Sequence, residues 1–304
     1  MAELFVPDTL GEAIGFLADH PGAALPVAGG TDLVIDTRTG RARPEWLVDM
    51  SPLRSLAGVD LDGEVLRIGA LTRIRAVELD PVLGRRAAAL VEAARVLGSV
   101  QIRNMATVGG NLCHATPSAE MPPALLVHDA VAEITGPGGE RSIPLAELFA
   151  GPGRTTLEPG ELLTAIPIRV PVSAGGSCYL RQTVRWSMDL AGVGVAASVE
   201  VEGATVTSAR VALGAVAPVP LPVGEAADAV VGTELTAEAA REAGARASAA
   251  CSPISDARGT ADYRRQVVAV LVARALRIAW LRATGSWPEG VPAPVNGVFR
   301  RDDR

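Results

Sequence analysis

The sequence predicts an α+β protein built from more than one packed unit, and three observations carry that prediction. Its 304 residues exceed one average domain, so two or three units are expected. Short β-like runs and amphipathic segments alternate over the first 170 or so residues, the pattern of small α/β units. Beyond PVSAGG (171–176) the strand-like runs come first and the helical runs last. A hydrophobic content of 48% is ample for buried cores.

Asp8-Thr9 opens an apolar pattern, Leu10, Ile14 and Leu17, which reads as a short capped helix ending near Pro21 and Gly22. LPVAGG is a buried strand running into a loop, and TDLVIDTRTG a helix capped by Thr31 or Asp32. WLVDM is a further strand, and SPLRSL closes a first small unit near residue 55. VLRIGALT opens a second unit. PVLGRRAAALVEAARVLG is the clearest helix, with Leu83, Ala87, Leu90, Val91 and Ala94 along one side. AVAEITGPGGERSIPL has the form of a hairpin turning at PGG. GPGRTTLEPGELLTAIPI is a loop leading into a strand. PVSAGG is the best linker. After it come the strand LAGVGVAASVEV, a hairpin at Glu202-Gly203, the strand VTSARVALGAV, and helices over roughly 236–250 and 263–284. The last twenty residues read as a tail.

Composition excludes several classes of function. The N-terminus has neither a basic leader nor a continuous apolar core. VVAVLVARALRIAW is interrupted by Arg274 and Arg277, well short of the roughly 20 residues of a membrane span. A cytoplasmic protein with no membrane span is expected. Cys113, Cys178 and Cys251 lie far apart without a CxxC, and His20, His114 and His128 form no HExxH. A disulfide scaffold, a bound metal and an iron–sulfur cluster held by this chain alone are therefore disfavoured. All 28 basic residues are arginine, and the net charge is −6. No Schiff-base or phosphate-loop lysine can exist here, and nucleic-acid binding is disfavoured.

Two glycine pairs draw attention, in LPVAGGTDLVID (25–36) and in QIRNMATVGGNLCHATPSAEMPPALL (101–126). Four such pairs occur, and roughly three are expected by chance at this glycine content, so only context gives them weight. Successive N–H groups of a glycine-rich turn can converge on a pyrophosphate without any lysine, and Thr31, Thr107 and Asn111 could add side-chain hydrogen bonds. Two tight turns in an α/β domain explain the same spacing. Cys113 and His114 offer a reactive thiol or a covalent flavin tether on one reading, and small packed side chains on the other. Glu120 could polarise a group in a cleft or simply suit a helix N-terminus. Arg181, Arg185 and Asp189 could form a site or an ordinary ion pair. GVGVAA (192–197) matches the dinucleotide fingerprint GxGxxG/A, but it lies inside an apolar run with no helix after it. It reads as packing glycine in a strand.

Taken in order, these segments resemble the FAD-carrying medium subunits of the molybdenum hydroxylases, of the carbon monoxide dehydrogenase and xanthine dehydrogenase type. QIRNMATVGGNLCHATPSAEMPPALLVHDA resembles their second flavin segment and LPVAGGTDLV their first. GERSIPLAELFAGPGRTTLEPGELLTAI resembles the end of their FAD domain. ALGAVAPVPLPVGEAADAVVGTEL and GTADYRRQVVAVLVARAL resemble their C-terminal domain. The resemblance covers nearly the whole chain.

It implies two α/β subdomains (1–55 and 56–170) forming a PCMH-type FAD-binding domain, a C-terminal antiparallel sheet packed with helices (177–285), and a tail (286–304). The implied cofactor is non-covalent FAD. Ala28, Gly29, Gly30, Thr31 and Asp32, with Thr107, Val108, Gly109, Gly110 and Asn111, would line its pyrophosphate and nearby ribityl chain. Ser118 and Glu120 would lie in the same cofactor segment, Leu162 or Leu163 would touch the rings, and Arg181 and Asp189 would fall near the flavin. Three positions depart from the family pattern: Glu120 replaces an aspartate, Met105 an arginine and Arg181 a lysine, which keeps the charge but not the shape. The implied function is an electron relay from iron–sulfur clusters to a terminal acceptor. Its partners would be an iron–sulfur small subunit and a molybdopterin large subunit. A stand-alone flavoenzyme acting directly on a small molecule is the alternative.

Overall fold

The computed structural model describes residues 2–171, 174–185 and 188–288, and three sheets organise them. The first is a three-stranded parallel sheet of β1 (Glu3–Phe5), β2 (Ala24–Val27) and β3 (Trp46–Asp49), with β3 in the middle. Helix α1 (Leu10–Asp19) follows β1, and α2 (Leu33–Thr39) follows β2. As the sequence suggests, Thr9 caps α1, its side chain accepting the Glu12 N–H at 3.2 Å. Ala13, Ile14 and Leu17 then face Ala24, Val48 and Met50 in a small core. Asp32 occupies the cap position of α2 without a side-chain cap bond.

The middle unit holds an antiparallel sheet of β4 (Val59–Asp62), β5 (Val65–Gly69), β6 (Val131–Gly136), β7 (Gly139–Pro144) and β10 (Leu162–Arg169) in the order β4-β5-β10-β6-β7. Strands β8 (Phe149–Gly151) and β9 (Arg154–Thr155) form a hairpin of their own, where the sequence suggested only a loop. Between β5 and β6 run six helices: α3 (Ile74–Leu79), α4 (Pro81–Arg86), α5 (Ala88–Val96), α6 (Val100–Arg103), α7 (Val108–His114) and α8 (Met121–Leu126).

The single helix expected at 81–98 is two, α4 and α5. Ala87 breaks them with non-helical dihedrals, φ −145 and ψ 56, while its N–H still closes α4 on Leu83 O at 2.8 Å. The predicted face is nevertheless the buried one, since Leu83, Ala87, Leu90 and Ala94 are all fully enclosed. A one-residue interruption leaves apolar spacing almost intact, so periodicity does not reveal it.

The C-terminal unit is an antiparallel sheet of β11 (Gly175–Gln182), β12 (Val193–Glu202), β13 (Thr205–Gly214) and β14 (Leu221–Pro222), followed by α9 (Gly224–Asp228), α10 (Ala237–Ala250) and α11 (Ala261–Ala283). One face of that sheet (Cys178, Leu180, Val195, Leu213) packs on Val268, Leu271, Val272 and Leu276 of α11. The other face (Tyr179, Ala196, Ala212) completes the core of the middle unit. Polar clamps fix that junction. Glu92 of α5 accepts from Tyr179 N at 2.8 Å and from Arg282 of α11 at 2.6 Å. Ser177 Oγ accepts from Ala89 N, and Ser198 Oγ donates to Val127 O.

Two boundary expectations change. Of the expected linker, residues 172 and 173 lie outside the described residues, and Gly175 and Gly176 already belong to β11. A Cβ on Gly176 would meet Ala279 O of α11 at 2.1 Å, so this pair is there for close packing rather than slack. Of the expected tail, 289–304 lie outside the described residues, whereas Ser286 and Trp287 fold back on α11 through bonds to Leu281 O. GVGVAA lies mostly in β12, and a Cβ on Gly194 would touch the Tyr179 hydroxyl at 2.9 Å. Packing glycine is the right account of that match.

Candidate functional site

The first glycine loop joins β2 to α2. Gly30 has φ +67, a conformation that costs an L side chain about 1 kcal/mol or more and glycine almost nothing. No main-chain N–H from Ala28 to Leu33 donates to an acceptor within the described protein; the first amide that does is Val34, to Gly30 O at 3.1 Å. Buried or half-buried amides normally find partners; those of Asp32 and Leu33 open α2, where free amides are usual, so the four from Ala28 to Thr31 are the unusual ones. Ala28, Gly29, Gly30 and Thr31 are half-buried, and Asp32 is exposed.

The second glycine pair behaves differently. It opens α7 rather than forming a loop, and Thr107 caps that helix by accepting Gly110 N–H at 3.1 Å. Val108 N–H donates to Thr72 O at 2.9 Å, Gly109 N–H to Ala70 O at 2.8 Å, and Asn111 N–H to Thr107 O at 3.0 Å. All four amides from Val108 to Asn111 are thus satisfied internally. The side chains remain, and the Asn111 Oδ1 is buried without a partner. The expectation that both glycine pairs offer free amides therefore holds for the first pair alone.

The two segments are nonetheless brought together. A Cβ on Gly29 would overlap Met105 O and Ala106 Cα, at 2.2 and 2.8 Å. His114, at the end of α7, reaches the Asp36 carboxylate of α2 at 3.4 Å. Nothing in the sequence signals that pair, which spans 78 residues. Cys113 stands beside it, and burial pushes its thiol up to about 12. A thiol so disfavoured as thiolate is a poor nucleophile, which favours the packing reading.

Glu120, at the cap position of α8, meets Arg181 of β11. Arg181 Nη1 donates to Glu120 Oε1 at 2.8 Å and to the Asp189 carbonyl at 3.1 Å. Arg181 is 1% exposed and Glu120 6%. Burial pushes the Glu120 carboxyl up to about 7 although Arg181 pulls it down. The Asp189 carboxylate does not pair with Arg181. It accepts from the amides of Val184, Arg185 and Leu190, and these hold its pKa below the usual value. Ser118 is buried two residues before Glu120. Leu162 and Leu163 point to opposite faces of β10, Leu162 into the core of the first sheet and Leu163 into that of the middle unit. The Tyr179 hydroxyl, buried without a partner, was not anticipated.

Comparison with known proteins decides the family. Residues 1–173 match the family model described as the FAD binding domain in molybdopterin dehydrogenase. Residues 178–279 match that of the CO dehydrogenase flavoprotein C-terminal domain. The chain belongs to this family. The carbon monoxide dehydrogenase medium chain of Afipia carboxidovorans is 35% identical over 277 residues, 91% of this chain and 96% of the relative. A putative xanthine dehydrogenase FAD-binding subunit of Escherichia coli is 38% identical over 216 residues, 70% of this chain and 73% of the relative. In a crystal structure of the Cu,Mo-CO dehydrogenase, one chain superposes with a TM-score of 0.89 at 34% identity, covering 92% of this chain and 98% of that one. As a member of these molybdopterin dehydrogenase flavoproteins, the chain is a flavin-dependent oxidoreductase with FAD as its cofactor. The expected fold, including the C-terminal antiparallel sheet packed with helices, is the observed one.

Proposed function

We propose that this chain is the exit relay of a molybdenum hydroxylase. It takes electrons from iron–sulfur clusters in a small subunit and passes them to a terminal acceptor, while substrate is oxidised in a large molybdopterin subunit. The single observation that carries the reading is the run of unpartnered amides from Ala28 to Leu33. FAD, when bound, supplies electron exchange singly or in pairs.

The residues divide the remaining work. The 28–33 amides neutralise a diphosphate without lysine, and Thr31, Thr107 and Asn111 add side-chain hydrogen bonds. Ser118, Glu120 and one of Leu162 or Leu163 border the same cofactor. Arg181 holds a permanent positive charge near the flavin, partly offset by Glu120. Asp189 orders the segment whose carbonyl steadies Arg181. Attachment is non-covalent. Among the described residues no three His, Cys, Asp or Glu side chains gather to hold a metal, which supports assigning the clusters and the molybdenum to partner chains. No helix of the described residues is long and apolar enough to cross a membrane.

Copurification tests the reading. The chain, tagged and expressed with its untagged genomic neighbours, should bring down two further proteins together with iron, molybdenum and FAD. A chain that purifies alone with FAD and dehydrogenates a small molecule unaided would replace the relay with a stand-alone flavoenzyme.

A further inference from the structure

A cavity of about 20 Å³, room for a single water-sized body, lies where the middle unit meets the C-terminal sheet. Its walls include Arg86 of α4, His128 and Asp129 after α8, Arg169 of β10, Glu200 of β12 and Arg210 of β13. Most of these charges answer one another. Arg169 pairs with Glu200 at 2.7 Å. Arg210 pairs with Asp129 and, at 3.6 Å, with Glu200. Both carboxylates in the wall are thereby committed.

Arg86 is left over. Among the described residues it has no ion pair, and its Nε and Nη2 are buried with no acceptor. Those two nitrogens form one edge of the guanidinium, the edge that grips an anion side-on. His128 is 4% exposed, and its Nε2 is likewise buried without a partner; the ring's hydrogen bond to the Arg169 main chain takes the one proton of the neutral imidazole at Nδ1, so the free donors at this cavity are those of Arg86. A permanent cation with two unsatisfied buried N–H groups calls for an acceptor that also carries charge. Water could accept both hydrogen bonds but would leave the charge unanswered.

We propose that this cavity binds one small anion of halide size, held side-on by the Nε and Nη2 of Arg86. The site joins α4 to β12 and β13, so its occupant ties the middle unit to the C-terminal sheet independently of FAD.

Bromide is the probe. Crystals of the full chain grown without halide and soaked in bromide should show an anomalous peak within hydrogen-bond distance of Arg86 Nε and Nη2. At constant ionic strength, with gluconate as the balancing ion, bromide should raise the melting midpoint saturably. At a hundredfold excess over Kd the folded-to-unfolded ratio should rise about 100-fold, and Arg86→Met should abolish the rise. A water at that position, bromide only elsewhere, or an equal rise in the variant would overturn the proposal. A bromide peak with no stabilisation of the wild type would mark an adventitious ion only, and would also overturn it.

Discussion

A Cβ on Gly29 would stand 2.2 Å from the carbonyl oxygen of Met105, so the first glycine loop and the segment entering α7 touch backbone to backbone. The contact places the amide-rich loop against the side chains of the second segment. Gly29→Ala must push the two apart, an overpacking cost of about 1–3 kcal/mol. The variant should melt lower and retain less FAD, read as the ratio of flavin to protein absorbance. Gly15→Ala is the control. Gly15 lies within α1 with no atom near its missing Cβ, and that change should be neutral or stabilising by about 0.5–1 kcal/mol.

Gly30→Asp attacks the same loop by charge. It forces an L residue to φ +67 and adds a carboxylate beside amides that would otherwise neutralise a diphosphate. The fold should persist by circular dichroism, because the loop is only half-buried, while FAD retention should fall to background even after reconstitution. A variant that keeps its full complement of flavin would remove residues 28–33 from the pyrophosphate.

Much of this was legible in the sequence, and the failures have common causes. The cap at Thr9 and the turns at Pro137-Gly138 and Gly203 follow from short-range chemistry, which a single sequence contains. The glycine pairs were visible as well, but not the use of their amides. Whether Gly109 N–H is free depends on Ala70, whose carbonyl arrives from a strand end 39 residues earlier in the chain. Burial was equally hidden. Arg181 reads most simply with its neighbours Arg185 and Asp189, but the structure gives its carboxylate contact to Glu120, 61 residues away. His114–Asp36 and Glu92–Arg282 are likewise contacts between elements, and no periodicity encodes them.

Cofactor attachment can be checked by heating. With its thiol pushed up to about 12 by burial, Cys113 is almost wholly protonated at neutral pH and cannot readily add to a flavin ring. Boiling the flavin-loaded protein should leave a colourless pellet and all the flavin in the supernatant, with Cys113→Ser indistinguishable from the wild type. Colour remaining in the pellet would restore Cys113 or His114 as a tether.

Glu120 and His128 should give opposite dependences of stability on pH. The carboxyl of Glu120 is raised from 4.5 to about 7 by burial, so the folded protein holds this proton more tightly than the unfolded chain. Its contribution is complete below pH 4.5 and lost as pH rises through about 7. His128 is lowered from 6.5 to about 4, again chiefly by burial. Its contribution is complete above pH 6.5 and lost as pH falls through about 4. Each is worth about 3 kcal/mol over its whole range, and between pH 4.5 and 6.5 the two slopes cancel. Urea unfolding of the wild type should therefore change little with pH across that window. Glu120→Gln should uncover a loss of stability toward acid, and His128→Gln a loss toward neutrality. If Arg181 instead keeps Glu120 ionised throughout, the wild type will itself lose stability toward acid and Glu120→Gln will leave that slope unchanged.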